Sequence, residues 1–405
     1  MDTPKPLTGC TVIDFSAVFA GPICSRFLRD CGAEVIKIEP PGDGDMTRGP
    51  TGLTPVYAHF NAGKRSVAIN LKHPDGQALA RRLVMGAEVV IENFRPGVMT
   101  RFGLDYQSFK TQRPDLVYCS ISGFGQSGPQ VDRAAFAPII HAASGFDIVH
   151  ARAQVLSEKA SEKSSEKASD KANDLQRPPN WEIMMADMLS GTHAFAAIQS
   201  ALLGRERYGV GDYIDVSMMD AMMTLIPSQI QAAQMQEPLP IGRYCPVRTR
   251  DGYIMVCVVS DKNLRSLSVA LQRPDLLTDP RFVFGPRTAN QKYLVEEIEK
   301  WSATLSASES EQRLNQAGVP CAGYQRPEDL FAHPQVVERK SFTSLKDDIL
   351  GEFLIQNMPA RFSHLDTTAA DWVAGLGEHT NEVLGERLQL SQAEIDALRS
   401  TGVIA

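Results

Sequence analysis

A single carboxylate, Asp187, lies within an otherwise apolar and small-residue stretch, at the start of a segment whose pattern predicts a helix through Leu203. Placing a charge in such surroundings costs several kcal/mol unless specific groups hold it. Asp is a preferred helix N-cap, so the local pattern alone favours a cap over a nucleophile or an acid–base group. The rest of the chain reverses that order.

Few other residues have spacings typical of catalytic or cofactor sites. The run 123–128 matches the glycine-rich dinucleotide pattern, but it follows the fifth predicted strand, and Pro129 stands where a helix would have to begin. The chain contains no Gly-x-Ser-x-Gly elbow and no Walker-type phosphate loop. Its eight histidines show no metal-ligand spacing, and a helix would not bring His193 face to face with Asp187. We therefore predict no metal site and no nicotinamide or flavin site.

Basic and amide side chains near predicted strand ends indicate an anionic ligand. Lys64 and Arg65 precede one strand, Lys72 ends it, and the run 93–97 follows another strand, with Arg101 shortly after. Apart from Lys64 and Arg65, these residues fall at the carboxyl ends of strands, where open α/β sheets bind ligands. As a set they favour a phosphate-bearing, nucleotide-like ligand.

Alternating strands and helices would position these groups. Apolar and β-branched runs predict strands over Val12–Phe15, Glu34–Glu39, Ser66–Leu71, Glu88–Glu92, Leu116–Ile121 and Tyr213–Met218. Pro22 suits the first turn of a helix that runs to about Asp30, and another helix is expected over Asp75–Met85. This βαβ alternation predicts an α/β fold with a mainly parallel sheet covered on both faces.

A chain of 405 residues is long enough for two domains with sizeable cores. We expect a large domain over residues 1–224, a smaller α/β domain over residues 225–335, and a C-terminal segment, 336–405, that returns to the large domain. Four-residue repeats rich in Ser, Glu and Lys fill residues 157–172. These repeats have no apolar face, so they are expected to form a solvated surface insertion.

The remaining elements are expected after the sixth strand. A Met-rich helix over Asp220–Gln234 would be kinked at Pro227, with its methionines filling the core. The smaller domain would contain a strand over Tyr253–Val259 and a helix over Lys292–Leu305. A final helix is expected over Gln392–Ser400.

The composition, with 43% hydrophobic and 22% charged residues, is ordinary for a soluble globular protein. A net charge of −7 without a long basic run argues against nucleic acid or an anionic membrane as the main partner. No apolar run approaches the ~20 residues needed to span a bilayer, and the N-terminus lacks the apolar core of a signal peptide. The seven cysteines are scattered without a Cys-x-x-Cys pair, which favours reduced thiols and a cytoplasmic location.

Longer motifs carry a family resemblance. They begin with LTGCTVIDF at residues 7–15, AGP at 20–22 and GAEVIKIEPPG at 32–42, and continue with NAGKRS at 61–66, ENFRPG at 92–97 and SISGFG at 120–125. Further motifs are AD at 186–187, GVGDYIDVSM at 209–218, GVPCAG at 318–323 and HPQV at 333–336. Over nearly the whole chain, apart from the charged insertion, these motifs resemble class III CoA-transferases. This is the family of formyl-CoA:oxalate CoA-transferase and of the carnitine and bile-acid enzymes.

The resemblance implies a Rossmann-like parallel-sheet large domain and a smaller α/β domain, in an interlocked, ring-like homodimer. It also implies that Asp187 is the nucleophile. The carboxylate would attack a donor thioester to form a mixed anhydride, and the released CoA thiolate would convert this to an aspartyl-CoA thioester. An acceptor acid would then reverse the sequence, with backbone amides near the helix start stabilising the oxyanions.

Coenzyme A is then a substrate, supplied as an acyl-CoA thioester, and no cofactor is bound permanently. By position, the resemblance implies a CoA-binding set made of Phe19, Ala20, Ile69, Asn70, Leu71, Lys72, Asn93, Phe94, Arg95, Arg101 and Phe136.

The chain departs from the family pattern at several positions. Some transferases carry Gln at the position of Phe19 and Arg at that of Pro40, and formyl-CoA transferase carries Trp near Pro50. That enzyme also has a glycine-rich lid, whereas the run 240–246 contains a single glycine. We therefore expect succinyl-CoA or a similar short dicarboxylyl-CoA as donor, with a carboxylic acid as acceptor, rather than oxalate–formate exchange.

Three alternatives remain open. CoA would move between two carboxyls of one molecule, such as mesaconyl-CoA, in an intramolecular transferase. The α-methylacyl-CoA racemases share the fold and the aspartate but need a His–Asp pair for proton transfer. Their histidine would align with Phe136, which cannot move a proton, and His141 lies five residues further on. A non-catalytic CoA-binding homologue is disfavoured by the presence of Asp187.

Overall fold

The structure of the protein is a computed structural model that describes residues 4–151, 182–235 and 246–405. The predicted insertion at 157–172 and most of the run 240–246 lie outside the described residues.

The described strands and helices alternate through the first half of the chain. The strands are β1 (Thr11–Asp14), β2 (Glu34–Glu39), β3 (Arg65–Ala68), β4 (Val89–Glu92), β5 (Val117–Ser122), β6 (Tyr213–Ser217), β7 (Pro246–Arg248), β8 (Tyr253–Val256), β9 (Cys321–Gly323), β10 (Phe342–Asp347) and β11 (Gly351–Gln356). The α-helices are α1 (Ala20–Asp30), α2 (Pro55–Asn61), α3 (Pro74–Met85), α4 (Val98–Arg101), α5 (Ala137–Ala143), α6 (Met185–Tyr208), α7 (Met218–Met223), α8 (Pro227–Ala232), α9 (Asp261–Leu271), α10 (Pro286–Ala289), α11 (Gln291–Ser302), α12 (Ala307–Gln316), α13 (Pro334–Glu338), α14 (Thr380–Leu388) and α15 (Gln392–Ser400). Short 3₁₀ helices cover Met46–Arg48, Tyr106–Ser108, Pro274–Leu277 and Pro327–Ala332.

The chain divides into two compact units. The first unit combines Met1–Asp147, Asn180–Leu225 and Pro334–Ala405, and the second combines Ile148–Pro179 and Ile226–His333. The first unit is therefore assembled from three separate stretches of sequence.

A six-stranded sheet forms the centre of the first unit, in the order β3-β2-β1-β4-β5-β6 with every pairing parallel. The prediction of a parallel sheet is confirmed. The strand order reverses between β1 and β4, so the loops that follow these two strands diverge to opposite sides. Open α/β sheets bind ligands in the crevice at such a switch point.

Side chains alternate across this sheet, as its pleat requires. Ile13 and Val90 pack into a core on one face, together with α3, α14 and α15, whereas Val12 and Ile91 pack into a core on the other face, with α1 and α6. Both faces are covered, as predicted.

The stretch from Pro334 onward covers the outer edge of β3 within the first unit. The amide of His379 donates to the Ser66 carbonyl at 2.9 Å, and the Thr380 hydroxyl accepts the amide of Ala68 at 3.1 Å. Further along, the Asn70 amide donates to the Val403 carbonyl at 2.8 Å, and Ile69 forms a bridge with Ile404.

The second unit contains an antiparallel three-stranded sheet, β7-β8-β9, with helices against it. Its core includes Leu267, Phe282, Ile298 and Leu314.

One predicted element is corrected. The Met-rich segment forms two short helices, α7 and α8, rather than one kinked helix. Pro227 has no amide hydrogen, so it is accommodated in the first turn of a new helix, with Ile226 as its N-cap. Within the described residues, no helix is both long and apolar enough to cross a membrane.

Candidate active site

Asp187 lies in the first turn of α6, two residues inside the helix, and the N-cap is Met184. The local interpretation of Asp187 as a helix cap is therefore wrong. Its carboxylate is only partly exposed, and no salt bridge reaches it among the described residues.

Helix α1 packs closely against α6, and this packing places the first residues of α1 near Asp187. Gly191 makes this packing possible, because a Cβ there would lie 2.2 Å from Cγ2 of Ile23 and 2.4 Å from the carbonyl oxygen of Ala20. Further along these two helices, the rings of Phe27 and Phe195 pack edge to face, with 5.7 Å between their centroids. As a result the first residue of α1, Ala20, faces the carboxylate of Asp187.

The electrostatics of Asp187 follow from this placement. Burial raises the pKa of Asp187 from 3.8 to about 6, and hydrogen bonds from the backbone amides of Ala20 and of Asp187 itself partly offset the rise. The Ala20 amide lies in the first turn of α1, where helix geometry leaves N–H groups without an internal acceptor. It is therefore free to stabilise negative charge at Asp187.

His141, on α5, holds the start of α6. Its Nε2 accepts the backbone N–H of Ala186 at 3.1 Å, so the adjacent turn that carries Asp187 is anchored by a side chain 45 residues earlier in the chain. The imidazole is 1% exposed, and burial lowers its pKa, which keeps it neutral. No sequence spacing predicts this contact, because the two elements meet only in the folded unit.

The loop from Ser16 to Phe19, here called the β1–α1 loop, leads directly into Ala20. Asn93 braces it from the end of β4: its Oδ1 accepts the Ala17 amide at 2.9 Å, and its Nδ2 donates to the Ala17 carbonyl at 2.8 Å. Both polar atoms of the predicted CoA ligand Asn93 are therefore engaged within the protein. The structure brings Asp187, Ala20, Phe19 and Asn93 together at the carboxyl ends of β1 and β4.

Glu92, the last residue of β4, shapes the neighbouring loop. Its Oε2 accepts the Phe94 amide at 2.8 Å, and burial raises the pKa of this carboxyl to about 7. Glu92, Ser120 and Tyr213 line a polar cavity of about 300 Å³. This cavity lies on the sheet face opposite α6, because Tyr118 and Tyr213 pack with the core on that side.

The predicted CoA-binding residues that follow β3 differ in which of their groups a ligand could contact. Ile69 is 1% exposed and packs in the core, which leaves only its backbone for a ligand. Asn70 uses its Oδ1 to accept the Lys72 amide at 3.1 Å. Leu71 is half-buried, whereas Lys72 is exposed.

The remaining members of that set lie near β4, α1 and α5. Phe94 is half-buried against the core, and Arg95 and Arg101 are exposed. Phe19 is the N-cap of α1, and its ring centroid lies 5.2 Å from that of Phe60. Phe136 is the N-cap of α5 and is 65% exposed.

Two basic residues proposed as phosphate anchors serve other purposes. Lys64 is buried and pairs with Asp14 at 3.1 Å. Arg65 pairs with Glu34 and with two glutamates of α14. Neither is placed to hold a phosphate, because Lys64 precedes β3 and Arg65 begins it, so both lie at the amino end of the strand, away from the ligand-binding edge. Among the described residues, no group of three or more His, Cys, Asp and Glu side chains is arranged to hold a metal ion.

The comparisons agree with this arrangement. Residues 7–380 match CoA-transferase family III. The chain is 31% identical to the succinyl-CoA–D-citramalate CoA-transferase of Chloroflexus aurantiacus, over 99% of this chain and 98% of that protein. It is also 31% identical to the succinate–glutarate CoA-transferase of Agrobacterium fabrum, over 94% and 95% of the two chains. The chain belongs to CoA-transferase family III, and its resemblance to class III CoA-transferases is confirmed.

A solved structure supports the same assignment. The crystal structure of a CAIB/BAIF family protein from Brucella suis superimposes with a TM-score of 0.75 at 30% identity, and the match covers 95% of this chain and all of that one. The protein is thus an enzyme, a class III CoA-transferase, and enzymes of this class act on CoA thioesters.

Proposed function

We propose that this enzyme transfers CoA from a short dicarboxylyl-CoA to a carboxylic acid, with Asp187 as the covalent nucleophile. The observation that carries the proposal is the placement of Asp187 in the first turn of α6, packed against the start of α1, with no salt bridge reaching it among the described residues. A carboxylate without a paired cation keeps its electron density for attack, and a raised pKa makes its anion more basic.

In the first half-reaction, an oxygen of Asp187 attacks the thioester carbonyl of the donor, and the C–S bond breaks. The products are a mixed anhydride and CoA thiolate. The thiolate then attacks the Asp187 carbonyl carbon of the anhydride, which forms the aspartyl-CoA thioester and releases the donor acid as a carboxylate.

In the second half-reaction, the acceptor carboxylate attacks the aspartyl thioester and releases CoA thiolate. The thiolate attacks the acceptor carbonyl of the new anhydride, so acceptor-CoA leaves and the Asp187 carboxylate is restored. Each tetrahedral intermediate carries an oxyanion, which backbone amides near Asp187, such as that of Ala20, would stabilise.

The substrate class rests on the relatives and on the departures from the formyl-CoA transferase pattern. The named activities of the relatives use succinyl-CoA or succinate with citramalate or glutarate. Succinyl-CoA as donor and a short dicarboxylic acid as acceptor are therefore the first pair to test. Intramolecular transfer within one dicarboxylyl-CoA is the alternative that the same covalent chemistry would support.

For CoA itself, we propose contacts from the exposed or half-buried members of the predicted set. Lys72, Arg95 and Arg101 supply positive charge, and Leu71 and Phe94 supply apolar surface. Ile69, Asn70 and Ala20 would contribute backbone groups, whereas Phe19 and Phe136 would border the acyl portion. Asn93 would act through the β1–α1 loop rather than by direct contact.

The interlocked homodimer and the cytoplasmic location remain predictions from the resemblance and the composition. Native mass spectrometry of the purified protein tests the first, with a mass of twice 44.4 kDa expected. Proton transfer of the racemase type is disfavoured, because Phe136 has no titratable group and His141 is buried with its Nε2 bonded to Ala186.

The testing experiment is covalent trapping. The protein is incubated with succinyl-CoA, treated with hydroxylamine or borohydride, and analysed by intact-protein and peptide mass spectrometry. We expect a hydroxamate or a reduction product on Asp187, and no modification of Asp187→Ala. The absence of an adduct with several acyl-CoAs, together with α-proton exchange in deuterium oxide, would instead support the racemase alternative.

A further inference from the structure

Val18, in the β1–α1 loop, has a backbone conformation that its side chain disfavours. Its φ is 69°, in the left-handed region. Among the described residues, Gln272, Lys340 and Gln389 are the other non-glycine residues with positive φ, and Val18 alone is β-branched. A left-handed conformation costs a non-glycine residue about 1–3 kcal/mol and persists only where the surroundings enforce it.

The carboxylate of Asp45 accepts the hydrogen bond of the Val18 amide. The Val18 amide donates to both oxygens of Asp45, at 3.1 Å to Oδ2 and 3.3 Å to Oδ1. Asp45 is 3% exposed, and it is itself fixed, because its Oδ1 accepts the Thr47 amide at 3.0 Å. A buried carboxylate held in this way is a rigid acceptor for the loop.

Lys37 connects the same carboxylate to the other side of the loop. Its Nζ lies 3.1 Å from Oδ2 of Asp45 and donates to the Ser16 carbonyl at 2.7 Å. The loop is thus held at Ser16 by Lys37, at Ala17 by Asn93 and at Val18 by Asp45. The two residues that follow are Phe19 and Ala20. Ala20 packs against α6 one turn from Asp187, because its carbonyl oxygen lies 2.4 Å from where a Cβ of Gly191 would be, and its amide contributes to the electrostatics of the Asp187 carboxylate.

We propose that Asp45 is a positioning residue for CoA transfer: by holding Val18 in the left-handed conformation, it aims the Ala20 amide at the Asp187 carboxylate. This inference rests on the proposed function, because it assigns Asp45 a role in the reaction of Asp187. Asp45 acts through the backbone and does not touch the substrate. Without it, Val18 relaxes toward negative φ and turns the start of α1 away from the reacting carbonyl.

The test uses glycine at position 18. Glycine adopts positive φ without steric cost, so Val18→Gly removes the need for Asp45 to enforce the conformation. The exchange of ¹³C-labelled succinate into succinyl-CoA is measured for the full chain and for Asp45→Ala, each in the Val18 and the Val18→Gly background. Asp43→Ala, an exposed neighbour in the same segment, is the matched control and should behave as the wild type.

We expect Asp45→Ala to lower kcat by about 10–100-fold with a smaller change in KM, since a misplaced group of this kind costs up to about 100-fold. In the Val18→Gly background the same substitution should cost less than about 5-fold, which is a coupling that a merely structural role would not produce. An equal loss in both backgrounds would overturn the proposal. So would a normal kcat for Asp45→Ala.

Two further measurements keep the outcomes distinct. If Asp45→Ala does not fold, as judged by its melting temperature, Asp45→Asn replaces it in both backgrounds. Its NH2 group replaces one of the two oxygens that accept the Val18 amide, so kcat should fall by a smaller factor, and Val18→Gly should again relieve the loss. Asp187→Ala is assayed in parallel. If Asp187→Ala still exchanges label, the proposed function fails and the role of Asp45 fails with it. If Asp187→Ala is inactive but Asp45 and Val18 are uncoupled, only the role of Asp45 is refuted.

Discussion

Asp14 and Asp187 are two carboxylates of the first unit, both largely shielded from solvent, with opposite surroundings. Burial alone would raise the pKa of Asp14, but the cations of Lys64 and Lys37 and the hydroxyls of Ser16 and Ser25 lower it to about 2. Among the described residues no ion pair reaches Asp187, and burial raises its pKa to about 6. Paired charges beneath the β1–α1 loop hold the backbone, whereas the unpaired charge at α6 remains available to react.

The largest loss of stability is expected when the ion pair between Lys64 and Asp14 is removed. Lys64 contacts Asp14 at 3.1 Å and Asn61 Oδ1 at 2.8 Å, so Lys64→Met leaves the buried Asp14 carboxylate without its ion-pair partner. Losing one partner of a buried pair should lower the free energy of unfolding by about 3–5 kcal/mol. Arg65→Met, at the next residue, removes more exposed ion pairs and should cost about 1 kcal/mol or less. Urea denaturation of both variants measures the two losses of unfolding free energy. Equal losses would contradict the expected difference between a buried and a more exposed ion pair.

Replacing Asp187, which has no ion pair among the described residues, should instead raise the stability of the protein. Asp187→Asn removes a carboxylate that burial disfavours, so it should raise the free energy of unfolding at pH 7.5 by about 1–3 kcal/mol. Because the pKa of Asp187 is higher in the folded protein, the wild type loses stability as pH rises from about 4 through about 6. The advantage of the variant should therefore vanish near pH 4. A variant that is less stable than the wild type at pH 7.5 would show that Asp187 is held by a favourable partner.

Transfer activity should report the same titration. The nucleophile must be ionised, so kcat/KM should fall about tenfold between pH 7 and pH 5, as Asp187 in the free enzyme, with its pKa raised to about 6, becomes protonated. The full pH profile of succinyl-CoA exchange measures this, with circular dichroism to show that the fold persists at pH 5. A profile that is flat down to pH 4 would place the nucleophile in a paired environment like that of Asp14.

The smallest effect on activity is expected from removing the exposed cations of the predicted CoA-binding set. Lys72→Ala and Arg101→Ala should each raise KM for the acyl-CoA by a few-fold, with kcat nearly unchanged, since exposed charge pairs are worth about 1 kcal/mol or less. The increase should shrink in 0.5 M salt, because surface electrostatics are screened. Lys110→Ala, at another exposed lysine of the first unit, is the control. A large fall in kcat would mean that these residues act on the reaction rather than on CoA.

Sequence pattern was sufficient to predict the sheet, because parallel strands such as Glu34–Glu39 are short runs rich in β-branched residues between turn residues. The family motifs directed attention to Asp187 and to the ends of β1 and β4. Contacts between distant residues were beyond the sequence, since nothing in the spacing of His141 and Ala186 signals a bond across 45 positions. Lys64 was wrongly interpreted as an anchor for a phosphate for the same reason, because nothing in the sequence around it shows that it pairs with the buried Asp14.

The cover over the outer edge of β3 has a consequence for how the enzyme folds. Asn70 and Gly402 are joined across 332 positions, and contacts so far apart in sequence form late and slowly. Until the stretch containing His379 and Val403 docks, β3 presents an open strand edge, which is a template for pairing between chains. We therefore expect β3 to be prone to pairing between chains until the C-terminal stretch has been synthesised, and a chaperone that shields this edge should raise the yield of folded protein.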